Sequence, residues 1–192
     1  VGRGAVDMET PDTRLIYLGA VQGLFLIALR GRLSPAAREA LRAEGLDLDQ
    51  DLMPAYAFTS WLRWQDIILR DVWPDLPRDE AFRKLGRTVI DGLLSTMLGR
   101  VMATAARTLG PRLGLPQLDR GFRSSNNFQC TRVLVERGPN ACELWINDIA
   151  DRPTYYVGLL EAVLGAMGAR ESRITVLRHE PPGCTFLVEW RP

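Results

Sequence analysis

Glycine recurs inside what otherwise reads as one long helix: Leu85-Gly86-Arg87, Asp91-Gly92 and Leu98-Gly99-Arg100, ahead of Leu109-Gly110-Pro111-Arg112. Each interior glycine costs a helix about 0.8–1 kcal/mol relative to alanine. Three of them give up local stability for the close approach of something else. Arg78-Asp79-Glu80 opens the segment and Gly110-Pro111 breaks it, so the spacing predicts a helix over 78–108. At 100° per residue, Thr88, Gly92, Ser95, Thr96, Gly99, Ala103 and Ala106 fall within about 60° of one line, and Gly86 lies about 120° away. Leu93, Met97 and Val101 occupy another face. The small face serves one of two ends: tight packing against a neighbouring element, or the wall of an apolar pocket.

The elements before the ladder are mainly helical. Residues 13–31 read as a strand-like entry followed by a helix, with Val21, Leu24, Phe25, Ala28 and Leu29 at helical spacing. Ser34-Pro35 is an N-cap with proline at the first helical position, and Gly45 ends that helix. Pro54 opens the next one, which buries Tyr56, Trp61, Trp64, Ile67 and Ile68 and closes at Trp73-Pro74.

Beyond about residue 120 the texture changes. Gly121 to Asn127 is polar and irregular apart from Phe122. Strands follow at 131–136 and 141–147, the second with Cys142, Leu144 and Ile146 on one face. An amphipathic helix over 154–168 comes next, then a hairpin of 173–179 and 185–190 around Pro181-Pro182-Gly183. Helices first, then strands with one helix, indicate an α+β fold: an N-terminal helical half packed on a C-terminal twisted antiparallel sheet with one helix. The expected organisation is a flexible arm over 1–12 and a single domain over 13–192, helical over 13–112 and sheet plus helix over 113–192.

Composition narrows the partners. The net charge of +1 gives no global case for nucleic acid or an acidic membrane surface. The longest apolar stretch, Leu15 to Leu29, is interrupted by Gly19, Gln22 and Gly23 and is too short to span a bilayer. Cys130, Cys142 and Cys184 show no zinc-ligand spacing and read as reduced thiols of a cytoplasmic protein. His179 is the sole histidine, so a nucleophilic site is restricted to a Cys142–His179 or Cys184–His179 pair. No metal or cofactor is expected. Lys84 is the only lysine beside the arginines, which fits either a GC-rich coding sequence or anion recognition. Arg123-Ser124-Ser125-Asn126-Asn127 offers a cation, hydroxyls and amides, fit either for an anionic ligand or for backbone groups where a loop enters a sheet. Five tryptophans are rich for 192 residues, and any exposed one would mark a partner surface.

An ordered series of residues resembles a known family. It runs through Val21-Gln22-Gly23-Leu24-Phe25, Glu44-Gly45, Tyr56, Trp61, Leu85-Gly86-Arg87, Gly92, Thr96, Gly99-Arg100, Leu109-Gly110-Pro111-Arg112, Phe122-Arg123, Asn126-Asn127-Phe128, Tyr156, Gly158 and Phe186 to Trp190. The series looks like a myxobacterial paralogous family of unknown function and covers most of 18–190. Gly158 to Gly168 followed by two strands is similar to the end of haem-nitric-oxide-binding, vinyl-4-reductase-type and TRAPP-subunit-like domains. That likeness implies a ladder helix beside an apolar cavity. The haem version departs from this chain. The helical half has no histidine, and Trp145-Ile146-Asn147-Asp148-Ile149 stands where a Tyr-x-Ser-x-Arg motif would hold the propionates. The reading is a non-catalytic sensory or regulatory domain that binds a small apolar or amphipathic molecule. Gly92, Thr96, Gly99 and Ala103 would line its pocket, with Arg123 and Asn127 as polar contacts. A protein–protein or homodimer module without ligand is the alternative, and an enzyme using a Cys–His pair is third.

Overall fold

The computed structural model describes residues 13–192, so the arm expected over 1–12 lies outside the described residues. The architecture is the expected α+β. A helical N-terminal half meets a four-stranded antiparallel sheet of order β3-β4-β6-β5, formed by β3 (Thr131–Glu136), β4 (Ala141–Ile146), β5 (Glu171–Glu180) and β6 (Gly183–Arg191). Cys142, Leu144 and Ile146 alternate into the core from β4, and Cys184, Phe186, Val188 and Trp190 do so from β6. Both edge strands carry a bulge, at Val133/Val135 and at Val176/Arg178. An edge bulge spoils the straight row of unpaired backbone groups that invites a further strand.

The strand-like entry is short. β1 (Leu15–Tyr17) pairs antiparallel with β2 (Ala55–Ala57), so Tyr56 belongs to a strand and not to the helix that Pro54 was expected to open. The helix itself, α3 (Phe58–Val72), buries Trp61, Trp64 and Ile68 as its spacing requires. From Leu18 the chain turns helical through α1 (Leu18–Ala28), of which Gln22–Ala28 is π-helical. The Leu29 amide closes the wide turn on the Leu24 carbonyl at 2.9 Å. α2 (Pro35–Ala43) starts as predicted, with the Ser34 hydroxyl accepting from the Ala37 amide at 3.1 Å.

The long ladder helix is in fact two helices. α4 (Arg78–Ser95) and the helical run beginning with α5 (Met97–Gly114) meet at 102°. Thr96 is extended there (φ −68°, ψ 162°), and its hydroxyl accepts from the Gly99 amide at 3.0 Å, an N-cap in the middle of an unbroken small-residue pattern. Gly99 is needed because a Cβ there would sit 2.0 Å from the Leu93 carbonyl oxygen. α5 does not stop at Gly110; it kinks there (φ +69°) and resumes through Pro111. Replacing Thr96 with Ala removes the cap, and a loss of about 1 kcal/mol in chemical denaturation is expected. A Thr96→Ser variant should retain most of that stability, whereas equal losses for both would dismiss the cap.

The two ladder glycines of α4 serve two different contacts. A Cβ on Gly92 would lie 2.1 Å from the Gly23 oxygen, so α1 and α4 cross backbone to backbone. Gly86 meets α7 (Pro153–Ala166): its Cβ would be 2.0 Å from the Tyr155 oxygen, and Gly158 returns the contact at 1.9 Å from the Arg83 oxygen. α4 is thus clasped between α1 and α7, and close packing explains both glycines. Arg87 acts on Asp91, its neighbour one turn on, only through charge, which offsets part of the rise that burial gives that carboxyl. With Arg83, Arg87 grips Glu161 of α7, whose side chain is almost fully buried. Burial by itself would raise the Glu161 carboxyl, but the hydrogen bonds and charges of Arg83 and Arg87 outweigh it and hold the group below its usual range.

Residues 118–125 form a further helix, α6 (Leu118–Ser125), where an irregular polar segment was expected. Leu118, Gly121, Phe122 and Ser125 share one face, and the polar residues between them point outward. None of the five tryptophans is exposed, so the surface reading of tryptophan is corrected. Exposed large apolar side chains lie instead on α5, where Met97, Leu98 and Val101 are 88%, 66% and 66% exposed, on the edge strands, at Leu26 and Ile27 of α1 and at Met53. Among the described residues no single helix is long and apolar enough to cross a membrane.

Candidate functional site

An apolar cavity of about 320 Å³ opens where α3, α4, α5, α6 and α7 converge. α4 contributes Val89, Ile90, Leu93 and Leu94. α5, turned by the Thr96 break, lays Met102, Ala105, Ala106 and Leu109 over one side. α7 supplies Tyr155, Tyr156, Leu159, Val163 and Met167 from the opposite side, and α6 closes the end with Leu118, Phe122 and Ser125. α5 makes this space possible. It buries only Gly99 and Gly114 completely, so it spans the cavity without being sunk into the core.

One border of the cavity is polar. Asn126, Gln129 and Tyr156 all line it and form a hydrogen-bonded chain: Asn126 Nδ2 donates to Gln129 Oε1 at 3.0 Å, and Gln129 Nε2 donates to the Tyr156 hydroxyl. Desolvation pushes the Tyr155 and Tyr156 phenols well above their usual range, so both stay protonated. Arg120 is the only charged residue among those lining the cavity, and it is exposed.

None of the six residues expected at the pocket borders this cavity. Gly92 packs on Gly23, Thr96 caps α5 and Gly99 sits on the Leu93 carbonyl. Ala103 faces a shallow outer depression shared with Thr104, Arg107 and Ala162. The exposed Arg123 pairs with Asp119 one turn back at 2.7 Å. Asn127 ties α6 to the chain entry, accepting from the Leu15 amide at 2.7 Å and donating to the Thr13 carbonyl at 2.9 Å. The lining residues lie one to three positions away from several of these: Leu93, Met102, Ala106 and Asn126. Counting helical phase afresh from Thr96 would have found Met102, Ala105, Ala106 and Leu109 as one stripe. Tyr156 opens the apolar stripe that Leu159, Leu160, Val163, Leu164 and Met167 continue, a spacing that marks it as core, while the adjacent Tyr155 lies outside that stripe.

The thiols and the histidine lie elsewhere. His179 stands on β5 with Nε2 3.3 Å from the Asp151 carboxylate. Cys184 is its cross-strand partner, yet that thiol is buried and desolvation pushes it up to about 11; Cys142 is likewise pushed up to about 11 by burial and the Glu136 charge. A thiol shifted in that direction is the opposite of an activated nucleophile. Among the described residues no group of three or more His, Cys, Asp or Glu side chains is placed to hold a metal ion.

Comparison with known proteins adds a family and a fold. The family described as "Protein of unknown function (DUF2378)" matches residues 14–191. No curated protein matches in sequence. Among solved structures, a doubly substituted Tt H-NOX superposes with a TM-score of 0.68 at 13% identity, covering 91% of this chain and 95% of that one. An oxygen-binding H-NOX domain related to soluble guanylate cyclases gives 0.66 at 14%, with the same coverage. An H-NOX protein from S. oneidensis in the Fe(II)NO ligation state gives 0.66 at 11%, covering 91% and 99%. At these identities the likeness is one of fold.

Haem, the group associated with that fold, does not fit these residues. Haem iron is held by histidine, thiolate, methionine paired with histidine, or tyrosinate. No histidine or cysteine lines the cavity. Tyr155 and Tyr156 are shifted away from the phenolate form, and the Met167 thioether is packed against Gly114. Only Arg120 is at hand for two propionates.

Proposed function

Because this chain belongs to the DUF2378 family and has the H-NOX fold, we propose that it is a non-catalytic sensory or regulatory domain that binds a small apolar or amphipathic molecule without haem. The observation that carries this reading is the apolar cavity itself. Its volume of about 320 Å³ falls within the range of about 300–1,000 Å³ usual for small-molecule sites, and its lining is almost wholly hydrophobic with a short polar border. Small-molecule sites commonly occupy the space between packed helices. α5 supplies the means of response. A ligand that contacts Met102, Ala106 and Leu109 touches a helix attached to α4 through a single extended residue, Thr96.

The test is a cavity-filling substitution. Ala106→Trp places an indole in open volume, so the thermal midpoint should stay within a few degrees while binding of the neutral dye N-phenyl-1-naphthylamine falls at least tenfold. Native mass spectrometry of the purified wild-type chain should show a co-purifying small molecule that the variant lacks. A loss of about 1–3 kcal/mol from overpacking, with no ligand and no dye binding in the wild type, would overturn the reading. A second reading rests on Met97, Leu98 and Val101, which stand in solvent on α5 and suit a protein partner or a second copy. The same mass spectra separate a loaded monomer from a ligand-free dimer.

A further inference from the structure

The hydrogen-bond polarity at the cavity border specifies what kind of oxygen a ligand must bring. Asn126 Oδ1 accepts from two backbone amides, Phe128 N at 3.2 Å and Gln129 N at 2.7 Å. The backbone therefore fixes the orientation of the Asn126 amide, and Nδ2 is the group that faces Gln129 Oε1. Gln129 must then turn its Nε2 away, where it donates to the Asp148 carbonyl at 2.6 Å and to the Tyr156 hydroxyl. The direction of donation runs from main chain to amide to amide to phenol. Tyr156 oxygen is an acceptor in this chain, and its own O–H proton has no acceptor among the described residues.

Tyr155 stands beside it on the first turn of α7. The two tyrosines are 5% and 4% exposed, their rings meet edge to face at 5.0 Å, and both line the cavity. The Tyr156 phenol thus stands on an apolar chamber, against the Tyr155 ring, with its donor unspent. Leaving a buried donor unmatched is unfavourable, so an occupant gains by offering an acceptor. A carboxylate would be a poor occupant, because the only cation in the lining, Arg120, is exposed to solvent, and a buried unpaired charge is strongly disfavoured.

We infer that the cavity takes a neutral, largely apolar molecule bearing a carbonyl-type acceptor oxygen, received by the hydroxyl of Tyr156. This rests on the cavity being a ligand site, as proposed above. Titration calorimetry of the full chain with acetophenone and with α-methylstyrene, its near-isosteric hydrocarbon, separates the two ideas. In the wild type acetophenone should bind about tenfold more tightly, the fold-change expected for one net hydrogen bond. Its carbonyl infrared band should shift to lower frequency than in hexane. Tyr156→Phe should erode the ketone's advantage and leave α-methylstyrene affinity unchanged. The wild-type infrared shift needs no variant, so it stands even if a substitution unfolds the chain. Equal affinities with an unshifted carbonyl band overturn the acceptor inference and leave the cavity reading intact. Preferential binding of benzoate overturns the neutral class. Failure of both neutral probes to bind overturns the inference and the cavity reading together.

Discussion

Gly158→Ala should lower the melting temperature by about 6–12 °C, whereas Gly165→Ala, seven residues further along the same helix, should raise it by about 2–4 °C. Both changes add one methyl group and the same intrinsic helix propensity, worth about 0.8–1 kcal/mol. They differ only in what the methyl meets. At Gly158 the new Cβ lies 1.9 Å from the Arg83 oxygen and 2.7 Å from its carbonyl carbon, and backbone cannot rotate away as a side chain can. α4 and α7 must separate, which strains the reciprocal contact of Gly86 on Tyr155 and the grip of Arg83 and Arg87 on Glu161. A loss of about 3 kcal/mol, the upper end for an overpacked core, is the expected result by differential scanning calorimetry. At Gly165 nothing lies within 4 Å, and the propensity gain stands alone. Equal shifts for the two variants would sink the account of α4 clasped between its neighbours.

The glycine ladder shows how far sequence reasoning reached. That small residues mark a close approach was legible, because glycine inside a helix is unfavourable unless something needs the space. Which elements approach was not, since Gly23 and Gly158 are distant in sequence from Gly92 and Gly86. The break at Thr96 was hidden for a local reason. Ser95, Thr96 and Gly99 continue the small-residue period across the cap, and a threonine inside a helical pattern is unremarkable until its ψ is known. Treating 78–108 as one rod placed Gly92 and Ala103 on one face, whereas they belong to helices crossing at 102°. The expected pocket line of Gly92, Thr96, Gly99 and Ala103 rests on that single rod, whereas α5 lines the cavity with Met102, Ala105 and Ala106. β2 was invisible for a different reason. Ala55–Ala57 has little strand character of its own and exists as the partner of β1, with Ile16 opposite Tyr56. The burial of Leu144, Phe186 and Val188 is what alternation requires, because one face of an antiparallel sheet must be apolar, whereas alternation does not set the order β3-β4-β6-β5.

Arg152→Met should destabilise the chain by about 1.5–3 kcal/mol, the range for hydrogen bonds to a charged group, because it deletes the donors of a mostly buried guanidinium. The residue sits just before α7, and its side chain is 13% exposed. Its Nη1 donates to the Leu62 carbonyl at 3.1 Å and to Gln65 Oε1 at 2.6 Å, and its Nη2 donates to the Asp66 carboxylate at 2.8 Å. The guanidinium also lies 4.9 Å from the centre of the Phe82 ring, so one side chain joins α3, α4 and α7. Methionine keeps the apolar stem against Phe82 and deletes only the fork, which leaves the buried Gln65 oxygen without its donor. Arg152→Lys should recover little, because an ammonium is a compact charge that does not reproduce a planar fork aimed at three separated acceptors. Desolvation lowers the Arg152 affinity for its proton, and Asp66 offsets part of that effect, so the pair depends on both members. Asp66 keeps Arg78 as a second partner at 2.9 Å, hence Asp66→Asn should cost less than Arg152→Met in equilibrium denaturation. The consequence extends to the cavity, because Tyr155 and Tyr156 occupy the first turn of the helix that Arg152 anchors. A fully stable Arg152→Met variant would refute the anchor. A destabilised variant that also loses acetophenone binding at temperatures where it remains folded ties the anchor to the Tyr156 phenol.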